Sequence, residues 1–467
     1  MKRLLWTAIC AFLLTLHAHA QPASIAFTNV SVIDVVSGQT RSGQTVVVTG
    51  RRIAAIGPTS SVGVPPNARV IRGDGKYLIP GLWDAHVHWY HPELLSLFIA
   101  NGVTGVRIMW GFPLQRSWVS EIDAGRLVGP RIHMAGSIID GPKPVWPTST
   151  AVRNDADARK AVRDTKAMGA QFVKIYSLLP RDLYLAIADE ARQQDIPFAG
   201  HVPNAVSARD ASDAGQRSIE HLTGIALAAS SREDELRRQL VEGGEKFSRS
   251  QFDRAVYDSF DPAKAAALYM RFRRNGTWQS PTLVVLRNTA NLNDSTLASD
   301  SRLKYMPASV KRQWDPKGDA RLRKQTPEDI AAFTRSFARH QELVRGMNRA
   351  GVPIVAGTDT LNPYCFPGFS LHDELALLVE AGLSPMQALQ AATINVARLV
   401  GRDTELGALA TGRLADLVLL DADPTRDIRN TQRISMVMSN GQLRDRSALD
   451  RLLQEAESAA ATADRDR

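Results

Sequence analysis

The sequence predicts an α/β protein: a parallel (β/α)8 barrel of the TIM type with a small composite β-sandwich built from the N- and C-terminal segments. Three observations carry this expectation. Short apolar strand candidates alternate with helical stretches through the middle of the chain. Eight such strands can be read, the number that closes a barrel. Similar β-type runs recur near both ends, each block too small to bury a sheet alone. The 467 residues, 44% hydrophobic and 22% charged, can fill a core of that size and exclude a disordered, fibrous or multi-pass membrane chain.

At the start, Lys2 and Arg3 precede an apolar run from Leu4 to Leu16 that closes with Ala18-His19-Ala20. This is the pattern of a secretory signal over residues 1–20, cleaved before Gln21. The run is short for a membrane span and no stop-transfer pattern follows. The expectation is an exported protein, periplasmic or secreted, with no stable membrane span after cleavage. Cys10 leaves with the signal, so Cys365 stands alone and no intramolecular disulfide can form. Beside Pro363, Tyr364 and Phe366, Cys365 reads as a small buried filler. The net charge of +9 is dispersed without a Lys/Arg stripe, which argues against nucleic acid as a partner. A small-molecule substrate is the expected partner, with homo-oligomerisation left open.

Residues 21–77 carry strands such as Ser31–Val35 and Thr45–Val48, and residues 401–446 carry Asp416–Leu420 and Ile434–Met438; these form the composite sandwich. Residues 447–467 read as a frayed helical tail. The barrel, residues 78–400, contains Leu78–Asp84, Gly102–Met109, Arg131–Gly136, Phe172–Tyr176, Pro197–Val202, Ser218–Leu222, Thr282–Leu286 and Pro353–Thr358. A helix after the last strand has a clear start, with Ser384 as N-cap, Pro385 in the first turn and Gln387 in the capping-box position. Two long insertions, about 223–280 and 287–351, follow strands and would rise over the C-terminal face as a lid.

The chemistry-bearing residues fall at strand ends. His86 and His88 are two apart on the first strand and project from one face. On the fourth strand, Lys174 shares the inward face with Phe172 and Tyr176, whereas Val173 and Ile175 face the helices. An inward lysine is either a structural ion pair or an amine with a lowered pKa, able to add carbon dioxide and become an anionic two-oxygen ligand. His201 ends the fifth strand, His221 the sixth and Asp359 the eighth. Each alone has an ordinary reading as a satisfied polar or turn residue. Together they place four imidazoles, a lysine and a carboxylate at one rim, a donor set sufficient for two cations of the zinc class. Of the ten histidines, His17 and His19 lie in the signal, and half of the rest occupy these positions.

This constellation resembles the amidohydrolase superfamily across nearly all of the mature chain. The elements that carry the likeness are Pro80–His88, Val173-Lys174-Ile175, Gly200-His201-Val202-Pro203, Ile219-Glu220-His221, Ala356-Gly357-Thr358-Asp359 and Gly412–Val418. The resemblance implies two divalent metal ions of the zinc class, with His86, His88 and Asp359 at one and His201 and His221 at the other. It also implies carboxylated Lys174 and a hydroxide as bridges, and Asp359 as proton shuttle. Within the superfamily the chain is most similar to the imidazolonepropionase-related and prolidase-like branch. One segment departs from it: Arg107-Ile108-Met109-Trp110-Gly111 has Ile where such proteins commonly carry an acid. Trp110, His133, Tyr176 and His372 are candidate substrate-pocket residues.

The function these readings imply is an exported binuclear metal hydrolase that opens an amide or peptide bond in a dipeptide or N-acyl amino acid. A lactonase or phosphotriesterase activity on the same machinery, a deaminase and a non-catalytic binding protein are the alternatives.

Overall fold

The computed structural model describes residues 24–243, 248–292, 294–315 and 326–462. The expected signal lies outside the described residues. Among those described, no helix is long and apolar enough to cross a membrane.

Seven parallel strands follow one another around the barrel: Leu82–Val87, Val103–Ile108, Arg131–Asp140, Phe172–Ile175, Phe198–Gly200, Ser218–Glu220 and Trp278–Ser280. Residues 353–360 fill the eighth position. They join strand seven through the Gln279–Ile354 bridge and strand one through Val87–Thr360. Val355 N donates to Gln279 O and Ala85 N to Ala356 O, each at 2.9 Å. Asp84 reinforces this seam, accepting from Thr358 N at 3.0 Å, Thr358 Oγ1 at 2.6 Å and His86 N at 3.2 Å.

Alternation along the strands sorts their side chains. Phe172 packs inside the barrel with Met109, Ala135 and Ala199. Val173 and Ile175 join the large outer core beneath the helices. Burying such side chains stabilises by roughly 1.5–3 kcal/mol each.

Three elements differ from the sequence expectation. Strand seven is Trp278–Ser280, and Leu283–Ala290, which overlaps the expected strand, is a helix. The short apolar run Leu283–Leu286 fits a buried helix turn as well as a buried strand, and Pro281 separates the two elements. Glu374 Oε2 accepts from Val284 N at 2.7 Å and so satisfies a donor of that helix's first turn. The run expected as one first strand is divided at Gly81. Tyr77–Pro80 belongs to the terminal sheet and Leu82–Val87 to the barrel. A Cβ at Gly81 would lie 2.1 Å from Thr104 Oγ1, so only glycine lets the chain pass between the two sheets. The C-terminal segment is helical but not loose: Arg446–Thr462 buries Leu449, Leu452, Ala456 and Ala460, a stripe at helical spacing.

The terminal sheet runs Gln442–Asp445, Ile434–Ser439, Leu417–Leu420, Tyr77–Pro80, Ser24–Asp34, Gln39–Thr49 and Arg52–Pro58, with Arg69–Arg72 beside Ser24–Asp34. Phe27, Val46 and Val48 from one half and Leu417, Leu419 and Met438 from the other share one apolar core. Asp416 locks this sheet to the barrel. Arg131 on strand three donates to both of its carboxylate oxygens, at 2.5 and 3.2 Å, and Gly81 N donates to its backbone carbonyl at 2.8 Å. After residues 353–360, the capping box at Ser384 and Gln387 starts the helix Pro385–Ala391, which is followed by Ile394–Leu399.

Candidate metal centre

The C-terminal ends of strands one, four, five, six and eight bring six polar side chains to one place. The ring centroids of His88 and His86 lie 5.3 Å apart, His86 and His221 4.5 Å, and His221 and His201 5.0 Å. Asp359 Oδ1 stands 3.3 Å from His86 Nε2 and 3.0 Å from His88 Nε2, and its Oδ2 is 3.8 Å from His221 Nδ1. Donor atoms of His86, His221 and Asp359 all fall within 4.8 Å of one another, as a shared cation requires. Lys174 is fully buried on strand four, its Nζ 5.8 Å from the centre of the Tyr176 ring.

Local backbone geometry turns several of these residues inward. Strand six ends at Glu220, and strict alternation would point the next side chain away from the barrel axis. His221 instead adopts φ 57°, which redirects it to the rim, and Asp359 does the same with φ 60°. Such left-handed non-glycine residues carry a conformational cost and collect at functional sites. Gly357 leaves the approach open, since a Cβ there would lie 2.7 Å from Ser280 Oγ and 2.8 Å from His86 Cβ.

His86, His201 and His221 each have Nδ1 engaged by a neighbour outside the cluster of six. His86 Nδ1 pairs with Glu220 Oε2 at 2.7 Å, His201 Nδ1 with Ser177 Oγ at 2.8 Å, and His221 Nδ1 with Thr282 Oγ1 at 2.7 Å. In each of these the Nε2 atom remains for a further partner. Beneath them, Glu220 also accepts from Arg107 Nη1 at 3.1 Å and from Ser218 Oγ. Arg107 Nη2 donates to Ser218 Oγ at 3.0 Å.

Electrostatics put these groups in a ligating state. Burial drives His221 down to about 3, His201 well below the ordinary histidine range and His88 in the same direction, so these three imidazoles are neutral at neutral pH. Burial opposes the carboxylate of Asp359, but His221 and His86 override it and hold the group well below the carboxylate range. Arg107 and His86 do the same for Glu220 against its burial. Burial lowers Lys174 to about 8, against the pull of Glu220 and Asp359.

The residues present fit a bound cation. His86 Nε2, His88 Nδ1, Lys174 Nζ and Asp359 Oδ1 are buried polar atoms without a hydrogen-bond partner, and orphaned groups of this kind are costly unless a ligand satisfies them.

Of the four candidate pocket residues, two stand beside this cluster. The Tyr176 ring lies 4.0 Å from that of His201, and the Trp110 ring 6.4 Å from that of His88. The other two do not belong to a pocket. His133 pairs with Arg107 near the start of strand three and stacks on Phe172 at 5.5 Å, one layer below Lys174. His372 sits on the helix Phe369–Glu380, with Nδ1 2.9 Å from Thr431 Oγ1 and Nε2 3.0 Å from the carbonyl of Asn101. It is a satisfied core histidine, and nothing in its sequence neighbourhood separates that from a site residue.

Sequence reasoning also passed over residues that hold the cluster. Glu220 was readable, because it alternates with Ser218 and so faces inward on strand six. Ser177 and Thr282 follow strands four and seven, and their pairing with histidines is decided by the fold alone.

A family model described as the amidohydrolase family matches residues 77–444. The chain is 23% identical over 418 residues to an ochratoxinase of Aspergillus niger, covering 75% of this chain and 72% of that one. Among solved structures, a bottromycin amidohydrolase superposes with a TM-score of 0.76 at 27% identity, covering 94% of this chain and 91% of that one. A Xaa-Pro dipeptidase superposes with a TM-score of 0.65 at 20% identity, covering 91% and 100%; at that identity the likeness speaks for the fold alone.

Proposed function

Because the chain belongs to the amidohydrolase family, we propose that it is an exported hydrolase whose six rim residues hold two divalent cations and whose substrate is a dipeptide or N-acyl amino acid. It is an enzyme of the class that hydrolyses carbon–nitrogen bonds. Its family generally binds divalent metals, and the His86, His221 and Asp359 group is a candidate site for one. The observation that carries the binuclear reading is the buried Lys174 Nζ, which has no hydrogen-bond partner while it lies among the same residues.

In this reading His86, His88 and Asp359 hold one cation and His201 and His221 the other. Bound there, the cations would lower the pKa of a water and polarise the substrate carbonyl. Lys174, once its neutral amine adds carbon dioxide with formation of an N–C bond and release of one proton, would offer the carbamate oxygens as further ligands. Asp359, ionised and next to the histidines, is placed to accept the proton from the attacking water at its free carboxylate oxygen and pass it to the leaving amine. Glu220, Ser177 and Thr282 orient the imidazoles so that their Nε2 atoms are available. The names of the amide-cleaving relatives support the same bond class. Export rests on the leader pattern of Lys2 to Ala20, and sequencing of the secreted protein is expected to begin at Gln21.

Zinc-loaded protein is tested against dipeptide and N-acyl amino acid libraries. Asp359→Asn is expected to retain most metal and lose about 10²- to 10⁴-fold in kcat. Lys174→Ala is expected to drop from two metal ions per chain to one by elemental analysis. Wild-type rates in both variants would overturn the assigned roles.

A further inference from the structure

The rim above strands two, three and four is walled with aromatic rings. Trp110 follows strand two, Trp146 lies in the connection after strand three, and Tyr176 follows strand four. The wall starts at His88, whose ring meets Trp110 edge-on at 6.4 Å. Trp110 stands 6.0 Å from Trp146, and the Trp146 indole N–H donates to the Tyr176 hydroxyl at 3.0 Å. Tyr176 then closes on His201, 4.0 Å away. The wall therefore runs from one candidate metal ligand to another.

Three further features build it. Phe112 and Tyr90 flank Trp110, at 5.6 and 6.5 Å. Asp140 ties two segments of the wall together, accepting from Val145 N at 3.0 Å beside Trp146 and from Leu178 N at 2.7 Å beyond Tyr176. Val145 and Leu178 extend the apolar surface outward, 40% and 41% exposed. The Trp110 indole N–H is buried without a partner.

Resting on the amide-hydrolase reading, we infer that this wall is the subsite for a flat, uncharged aromatic group joined to the scissile amide. Ring faces and edges favour offset or edge-on contact with another π-system. A cation also stacks on such faces, but metal ions held at the two ends of the wall would repel one.

Two matched substrate pairs test this: benzoyl-glycine against cyclohexanecarbonyl-glycine, and N-acetyl-phenylalanine against N-acetyl-cyclohexylalanine. The members of a pair have similar apolar bulk, and only one has a π-face. In at least one pair kcat/KM is expected to favour the aryl member by tenfold or more, with most of the difference in KM. Trp110→Leu should cut that ratio at least fivefold, whereas Trp110→Phe should keep most of it. A second readout is 2-naphthamide binding to metal-stripped protein, followed by tryptophan fluorescence. Its Kd should rise at least fivefold in Trp110→Leu, with folding checked by circular dichroism. Equal cleavage of aryl and cyclohexyl members, or a ratio and Kd that survive Trp110→Leu, would overturn the subsite. If neither pair is cleaved, the N-acyl amino acid reading fails, and the naphthamide titration still decides the subsite.

Discussion

Removing the Glu220 carboxylate separates what holds the barrel from what holds the metal. Glu220 and Arg107 are a buried pair, 0% and 3% exposed at the side chain, with Nη1 and Oε1 3.1 Å apart. Glu220→Gln leaves the Arg107 charge without its counter-ion, and breaking one partner of such a pair costs about 3–5 kcal/mol. The same carboxylate accepts from His86 Nδ1 at 2.7 Å, which fixes the ring so that Nε2 faces Asp359. Loss of that orienting bond costs about 10- to 100-fold in metal affinity, or roughly 1.4–2.7 kcal/mol. Guanidinium unfolding of metal-free protein reads the first quantity, and competition against a chromophoric chelator reads the second. The double variant Arg107→Met, Glu220→Gln removes both charges, so it should recover much of the stability while its metal affinity stays low. A Glu220→Gln protein that is destabilised yet binds metal within twofold of wild type would refute the reasoning, because Glu220 would then serve Arg107 alone.

Two further outcomes are expected. Asp416→Ala strips Arg131 of its two-point partner between barrel and terminal sheet, and should lower stability by about 3–5 kcal/mol; a change in thermal midpoint of under 1 °C would show that the contact is idle. Burial lowers His372 to about 4, so its neutral form contributes stability that is present above pH 6.5 and lost as pH falls towards 4. The loss is of order 3 kcal/mol over that window, and His372→Gln should flatten the stability profile there by a similar amount, measured by urea unfolding at intervals of half a pH unit.

Much of the site was legible because its residues sit at strand ends, where period-two alternation assigns a face. Lys174, His86 and His88 follow that rule directly. His221 and Asp359 do not: strand period leaves their direction open, and a left-handed φ supplies it. His133 and His372 show the converse limit. A histidine's role depends on what lies across from it, and Phe172 and Arg107 or Thr431 and Asn101 reach them from distant parts of the chain.

By itself the sequence determined the barrel, the terminal sheet shared by the two chain ends, and the set of side chains brought to one rim. Local period, turn chemistry and strand number are properties of short windows, and short windows are all that linear order supplies. Only the tertiary structure decided that Thr282 starts a helix and caps His221, that Glu220 bridges Arg107 and His86, and that Trp110, Trp146 and Tyr176 form one wall. These contacts join residues tens to more than a hundred positions apart. Their free energy depends on distance and burial, and both quantities come into being when the chain closes into the barrel.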